Sequence, residues 1–311
     1  MNNEIKKINL THSFIFFLFS NIFSIIIFKL NNFNISPLIC LLLILTIGVS
    51  HGSLDHVKGK RLFNILNINK ISIFYFSYIL IAILVIIIWT IIPFISLMIF
   101  LLVASYHFGK EDTQFLINEN SYFNQLLFFL KGLLIIVAPM FFHFEETVTI
   151  FKLLLVDNEI FYSTLEFIEV NKILPIAIIL SSLSSIFLFL RKFEIKKFIV
   201  FFDYFSILIL NYYLTPLVAF TVYFCFLHSI RHSITLIYEI DKNDFKNGLK
   251  VFGQKALPLT ILTAIFCLIG LYLLNNNYDF DSSILKIIFI GLASLTFPHI
   301  LLEYFLEKNE K

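Results

Sequence analysis

The chain has 311 residues, of which 59% are hydrophobic and only 14% charged, and its mean hydropathy is +0.90. A soluble domain carries about 25% charged residues, so this composition excludes an ordinary soluble globule and implies an integral membrane protein. The net charge is only +2, and no basic stretch interleaved with aromatics points to a nucleic-acid partner.

In chain order, apolar runs of membrane length fall at 14–30, 35–51, 71–92, 93–108, 123–142, 173–190, 198–214, 216–232, 256–274 and 284–302. Two of the ten are short, and the junctions at Pro93 and Pro216 are tight. The expected fold is therefore an all-α, polytopic transmembrane bundle of about 8–10 helices. Strands are not expected from the Ile-rich runs, because in lipid the backbone must satisfy itself. No internal repeat is evident, so residues 1–311 read as one membrane domain. Run one follows Lys6 and Lys7 but no small-residue cleavage site follows it, so it is expected to be a retained helix. The segment 143–172 has amphipathic character. Cys40, Cys225 and Cys267 lie inside apolar runs with no Cys-x-x-Cys spacing and read as packing residues.

The loops give an orientation. Lys58, Lys60, Arg61 and Lys70 follow run two. Arg191, Lys192, Lys196 and Lys197 follow run six, and a further basic group from Arg231 to Lys255 follows run eight. The loops after runs three, seven and nine carry no Lys or Arg. The positive-inside rule then places the ends of even-numbered runs, and both termini, in the cytoplasm. The expected location is a bacterial-type cytoplasmic membrane.

That orientation places His51, His56, His107, His228, His232 and His299 at one face of the membrane. His228 and His232 are four apart, so on a helix their rings lie one turn apart on one face, a chelating spacing. Ionisable groups inside a membrane default to function. Neutral imidazole suits Fe, Zn, Cu and Ni, and the lack of clustered cysteine argues against structural zinc. Asp55, Glu111, Asp112 and Glu303 lie nearby in sequence. A ligating histidine commonly gives its other N–H to a carboxylate; the alternative for these four is a solvated carboxylate at the boundary. Gly52 and Gly109 are expected to turn the backbone at helix ends. Arg231 points away from the histidine face and reads as a positive-inside anchor. Lys131 and Asp203 are charges inside apolar runs with no partner legible. His12 and His143 fall outside the set and read as structural.

Four stretches, His51-Gly52-Ser53-Leu54-Asp55-His56, Tyr106-His107-Phe108-Gly109 with Asp112, His228-Ser229-Ile230-Arg231-His232, and Pro298-His299, resemble the Brp/Blh family of membrane-bound β-carotene 15,15′-dioxygenases in order and spacing. The resemblance runs from roughly residue 45 to 303 and is weak over 1–35 and 143–200. It implies central cleavage of β-carotene by O2 into two molecules of all-trans-retinal, at a non-haem Fe(2+), in the service of a microbial rhodopsin. Position by position, it implies catalytic iron ligands at His51, His107, His228 and His232. Asp55, His56, Asp112, Arg231, His299 and Glu303 are then the residues that support them. Two other classes compete. A membrane di-iron lipid desaturase or hydroxylase also gathers histidines at cytoplasmic helix ends, but uses more of them and His-His pairs, absent here. A haem protein or proton-relaying transporter is the other, although two ligands on one helix face cannot reach opposite sides of a haem.

Overall fold

A computed structural model describes residues 3–30, 35–115, 121–190 and 200–310, and among them every regular element is a helix. Helix α1 (Asn3–Lys29) is followed by α2 (Pro37–Leu43), α3 (Asp55–Ile65), α4 (Ile71–Ile91), α5 (Pro93–Glu111), α6 (Tyr122–Phe142) and α7 (Phe144–Leu153). Then come α8 (Glu159–Val170), α9 (Ile173–Leu190), α10 (Val200–Tyr213), α11 (Pro216–Val222), α12 (Ile230–Ile240), α13 (Phe245–Leu274) and α14 (Phe280–Asn309). The starts carry recognisable signals. Ser36 caps α2 with Pro37 at its first position, and Asn158, Asp244 and Asp279 each accept a backbone N–H from the first turn of α8, α13 and α14.

Among the described residues, seven helices are long and apolar enough to cross a membrane, or up to nine if each of two bent pairs counts as one span. The chain is a multi-pass membrane protein. Helices α13 and α14 run to 30 residues each, beyond their apolar runs, because their polar ends are capped and continue the helix outside the apolar window. Segment 143–172 holds the short α7 and α8. Their apolar residues Phe144, Val148, Phe151, Phe161 and Leu165 join the main core, which also takes in Cys40 and Cys225 as free thiols.

Two spans are irregular. Helix α2 passes through a π-helical turn (Ile44–Gly48) and a 3-10 turn (Val49–Leu54) into α3, and α11 passes through a π-helical turn (Tyr223–Ser229) into α12. The two breaks pack on each other. Ser229 Oγ donates to the Gly48 carbonyl at 3.1 Å, and a Cβ on Gly48 would come within 2.6 Å of the Phe224 ring. π-helical turns are rare and concentrate at functional sites.

The backbones of α5 and α6 are in direct contact. A Cβ on Gly109 would lie 1.8 Å from the Phe128 carbonyl oxygen, and one on Gly132 would lie 1.7 Å from that of Ser105. Gly109 therefore serves close helix approach rather than the expected backbone turn. Gly52 lies inside the 3-10 turn, and no described glycine has a positive φ. Lys58, Lys60 and Arg61, expected in a loop, belong to helix α3. The basic stretch 191–197 lies outside the described residues.

Candidate metal centre

Four helical segments each bring polar groups, about one turn apart, to one place. Helix α3 carries Asp55 and Lys58, α5 carries His107 and Glu111 with Asp112 at its end, the π turn and α12 carry His228 and His232, and α14 carries His299 and Glu303. Residues three or four apart share a helix face, so each helix presents its pair together. The four imidazoles are neighbours. Ring centroids lie 5.4 Å apart for His107 and His228, 5.4 Å for His107 and His299, and 5.8 Å for His232 and His299.

Three of these rings are held from behind in the same way. His228 Nδ1 lies 3.2 Å from Asp112 Oδ1, His232 Nδ1 lies 2.8 Å from Glu111 Oε2, and His299 Nδ1 lies 2.9 Å from Asp55. The consecutive carboxylates of α5 thus each take one member of the His228/His232 pair. Tyr78 and Tyr223 donate hydroxyl hydrogen bonds to Asp55 and Asp112 at 2.8 Å and 2.7 Å. On the inner side, the Nε2 atoms of His232 and His299 lie 3.9 Å and 3.8 Å from Glu303 Oε1. Potential ligand atoms of His107, His299 and Glu303 lie within 4.8 Å of one another, as do those of Glu111, His232 and Glu303. Phe108 and Phe224 pack on the His228 ring, with centroids at 4.8 Å and 5.7 Å, and form an apolar wall.

A buried ion pair braces the centre from outside. Arg231 meets both carboxylate oxygens of Asp203 at 2.9 Å and 3.3 Å, donates to the Asp112 carbonyl at 2.9 Å, and donates to Ser13 Oγ at 2.7 Å. It is only 2% exposed. Arg231 does point away from the histidines, but the surface-anchor reading is corrected. The guanidinium has a deep partner on α10 and fixes the backbone next to Asp112. Burial pushes the Asp112 carboxyl up, but the hydrogen bond from His228, the charge of Arg231 and the hydrogen bond from Tyr223 outweigh it and hold it below the usual carboxylate range.

The expected residues separate into groups. His107, His228 and His232 come together, and His299 and Glu303, expected as supports, stand in the same ring of groups. Asp55 and Asp112 lie behind the imidazoles. The side chain of His51 is outside the described residues; its backbone begins the last part of the 3-10 turn. His56 Nδ1 bonds the Ser53 carbonyl at 3.0 Å. His143, near the opposite end of α6, donates from Nε2 to the Asn211 carbonyl, 2.8 Å away. His12 Nε2 meets the Phe226 carbonyl at 2.8 Å, so it supports the π turn that carries His228. Lys131 is buried, and its Nζ makes no hydrogen bond among the described residues.

Sequence reasoning missed Lys58. Its Nζ lies 2.5 Å from Glu303 Oε1 and 3.3 Å from His232 Nε2. In sequence it stands with Lys60 and Arg61 and reads as loop charge. The available signal was the three-residue spacing from Asp55, which turns both toward the centre.

Two comparisons with known proteins bear on the family of the chain. The model of the β-carotene 15,15′-dioxygenase family matches residues 42–307. A protein of that name from Uncultured marine bacterium 66A03 is 30% identical over 271 residues, covering 84% of this chain and 90% of the relative. No solved structure matches. The matched range contains every residue of the centre, and the chain belongs to the β-carotene 15,15′-dioxygenase family of carotenoid-cleaving enzymes.

Proposed function

We propose that the chain cleaves β-carotene with O2 at the central double bond, giving two molecules of retinal, at a non-haem ferrous ion held by the histidine cluster. One observation carries the reading: three imidazoles around a common centre each have Nδ1 held by a separate carboxylate. A histidine oriented in this way presents Nε2 as a neutral donor of fixed tautomer.

The residues fit a divalent ion. Nitrogen and oxygen donors bind such ions at about 2.0–2.2 Å, so two ligand atoms of one ion lie at most about 4.4 Å apart. The 3.8 Å and 3.9 Å separations from Glu303 Oε1 meet that bound. Three carboxylates, Asp55, Glu111 and Glu303, face one ammonium, Lys58, in a largely buried space, and a divalent cation offsets the surplus.

In this reading, His107, His228, His232 and His299 hold the iron. His51 is the further ligand that the sequence motif implies, and its variant tests that role. Bound there, iron supplies the dioxygen chemistry that cleaves the polyene. The protein's own part is positional. Asp55, Glu111 and Asp112 fix the imidazole planes, while Phe108 and Phe224 exclude water beside His228. The apolar substrate reaches the centre from the bilayer, into which it partitions. The reaction balances as one β-carotene and one O2 giving two retinals. The basic loops support a cytoplasmic side for the centre, and retinal is the chromophore a microbial rhodopsin would take.

Expression in a β-carotene-producing bacterium, followed by retinoid extraction, tests the reading. Carotene loss should be matched by close to two retinals per molecule. Apocarotenals of unequal length would rule out central cleavage.

A further inference from the structure

Lys58 and a metal ion at the centre claim the same electron pairs. His232 donates from Nδ1 to Glu111 at 2.8 Å, so the neutral ring has its lone pair on Nε2. An ammonium has donors and no acceptor. The 3.3 Å contact between Lys58 Nζ and His232 Nε2 therefore commits that lone pair to an N–H. The same ammonium lies 2.5 Å from Glu303 Oε1, the oxygen that the Nε2 atoms of His232 and His299 approach at 3.9 Å and 3.8 Å. One imidazole lone pair cannot serve a hydrogen and a metal ion at once. An ion about 2.1 Å from both His232 Nε2 and Glu303 Oε1 would also lie about 3 Å or less from Nζ, where two cations repel strongly. The lysine has a way out. Its stem is flexible, its side chain is 17% exposed, and Lys60 beside it on α3 is exposed.

We propose that Lys58 is a built-in competitor of the metal ion: its ammonium holds the donor atoms of His232 and Glu303 until an ion binds, and then swings out toward solvent. The inference rests on the iron reading above and adds to it a job for a residue outside the histidine motifs. In the metal-free chain the ammonium offsets the charge that Asp55, Glu111 and Glu303 gather around it. On loading, the ion takes over that role, and displacing Lys58 weakens the net affinity. The centre thus holds iron less tightly than its donor set alone dictates, and the ion stays exchangeable. The sign separates this role from a structural one. If Lys58 held Glu303 in place for the ion, its loss would weaken binding; as a competitor, its loss strengthens it.

Two measurements on purified full-length protein, both made anaerobically with Fe(II), test the proposal. The first is iron affinity by chelator competition. Lys58→Met and Lys58→Gln should bind iron roughly 10–100-fold more tightly than wild type, the worth of a hydrogen bond to a charged group, and Lys58→Arg, which keeps the cation, should stay close to wild type. The second uses wild type alone and so does not depend on how well a variant folds. Labelling with an amine-reactive reagent, read by peptide mass, should rise severalfold at Lys58 on iron loading and stay constant at the exposed Lys60. Affinity equal to or below wild type in the Met and Gln variants overturns the inference and leaves the iron reading intact. So does equally tight binding in Lys58→Arg and Lys58→Met, or unchanged Lys58 labelling on a chain that has bound iron. Absence of iron binding in wild type overturns the iron reading and this inference with it.

Discussion

In the span Pro216–Ile240, 72% of the apolar window is buried inside the protein, whereas in α4 and in α13 the figure is 6%. The buried span is the least apolar of the three, and it obeys different constraints. Helices α4 and α13 are unbroken, and most of their Ile and Leu residues face outward, so any side chain of similar hydropathy suffices there. The Pro216–Ile240 span is interrupted by a π turn, carries two histidines and an arginine, and finds a specific partner for each. Apolarity places a helix in the membrane; departures from helical regularity, and polar groups with assigned partners, show which helix performs chemistry.

The largest expected effects break the second kind of helix. His107→Ala, His228→Ala, His232→Ala and His299→Ala should each abolish retinal formation and lower retained iron, read by retinoid extraction and metal assay at matched membrane levels. Full activity with intact iron in His228→Ala would place the centre elsewhere. His51→Ala belongs to the same series, and loss of both readouts would add it to the ligands. The carboxylates come next. Asp55→Asn, Glu111→Gln and Asp112→Asn should each cost about 10–100-fold in metal affinity or activity, because the imidazole behind each keeps its place but loses its orienting acceptor. An unchanged metal affinity in all three would show that the carboxylates do not tune the ligands.

Stability effects are smaller and fall on the brace. Asp203→Asn leaves the Arg231 charge buried without its partner and should destabilise by about 3–5 kcal/mol, measured by thermal unfolding in detergent. Replacing both with apolar residues, Asp203→Leu and Arg231→Met, should recover much of that loss, and failure to recover would mean that the Asp112 and Ser13 contacts dominate. The smallest effects test the other kind of helix. Ile83→Ala on the outward face of α4, 48% exposed, should change activity little and stability by about 0.5 kcal/mol or less. His12→Ala and His143→Ala each remove one backbone hydrogen bond, worth about 1 kcal/mol, and should keep most activity. A larger loss from His12 than from His143 would follow from its hold on the Phe226 carbonyl beside the histidine pair.

Much of this was legible in the sequence. The apolar runs named the helices, and the four-residue spacing named His228 and His232. Helix ends were less legible, because capped polar turns extend α13 and α14 past any hydropathy window. The breaks in α2 and α11 left no signal, since a π turn adds one residue without changing composition. Partners separated by long stretches of chain were illegible for the same reason that they matter. Arg231 finds Asp203 across 28 residues and Lys58 finds Glu303 across 245, so only the packed bundle reveals them. A basic residue near a helix end looks the same in sequence whether it anchors at the membrane surface or enters a buried site.

Iron K-edge X-ray absorption on the iron-loaded full chain tests the central claim most directly. The account predicts a first shell dominated by nitrogen and oxygen donors with the outer scattering of several imidazoles, reduced by one ring in His299→Ala. A spectrum without imidazole scattering, or one unchanged in His107→Ala, His228→Ala, His232→Ala and His299→Ala alike, would contradict it.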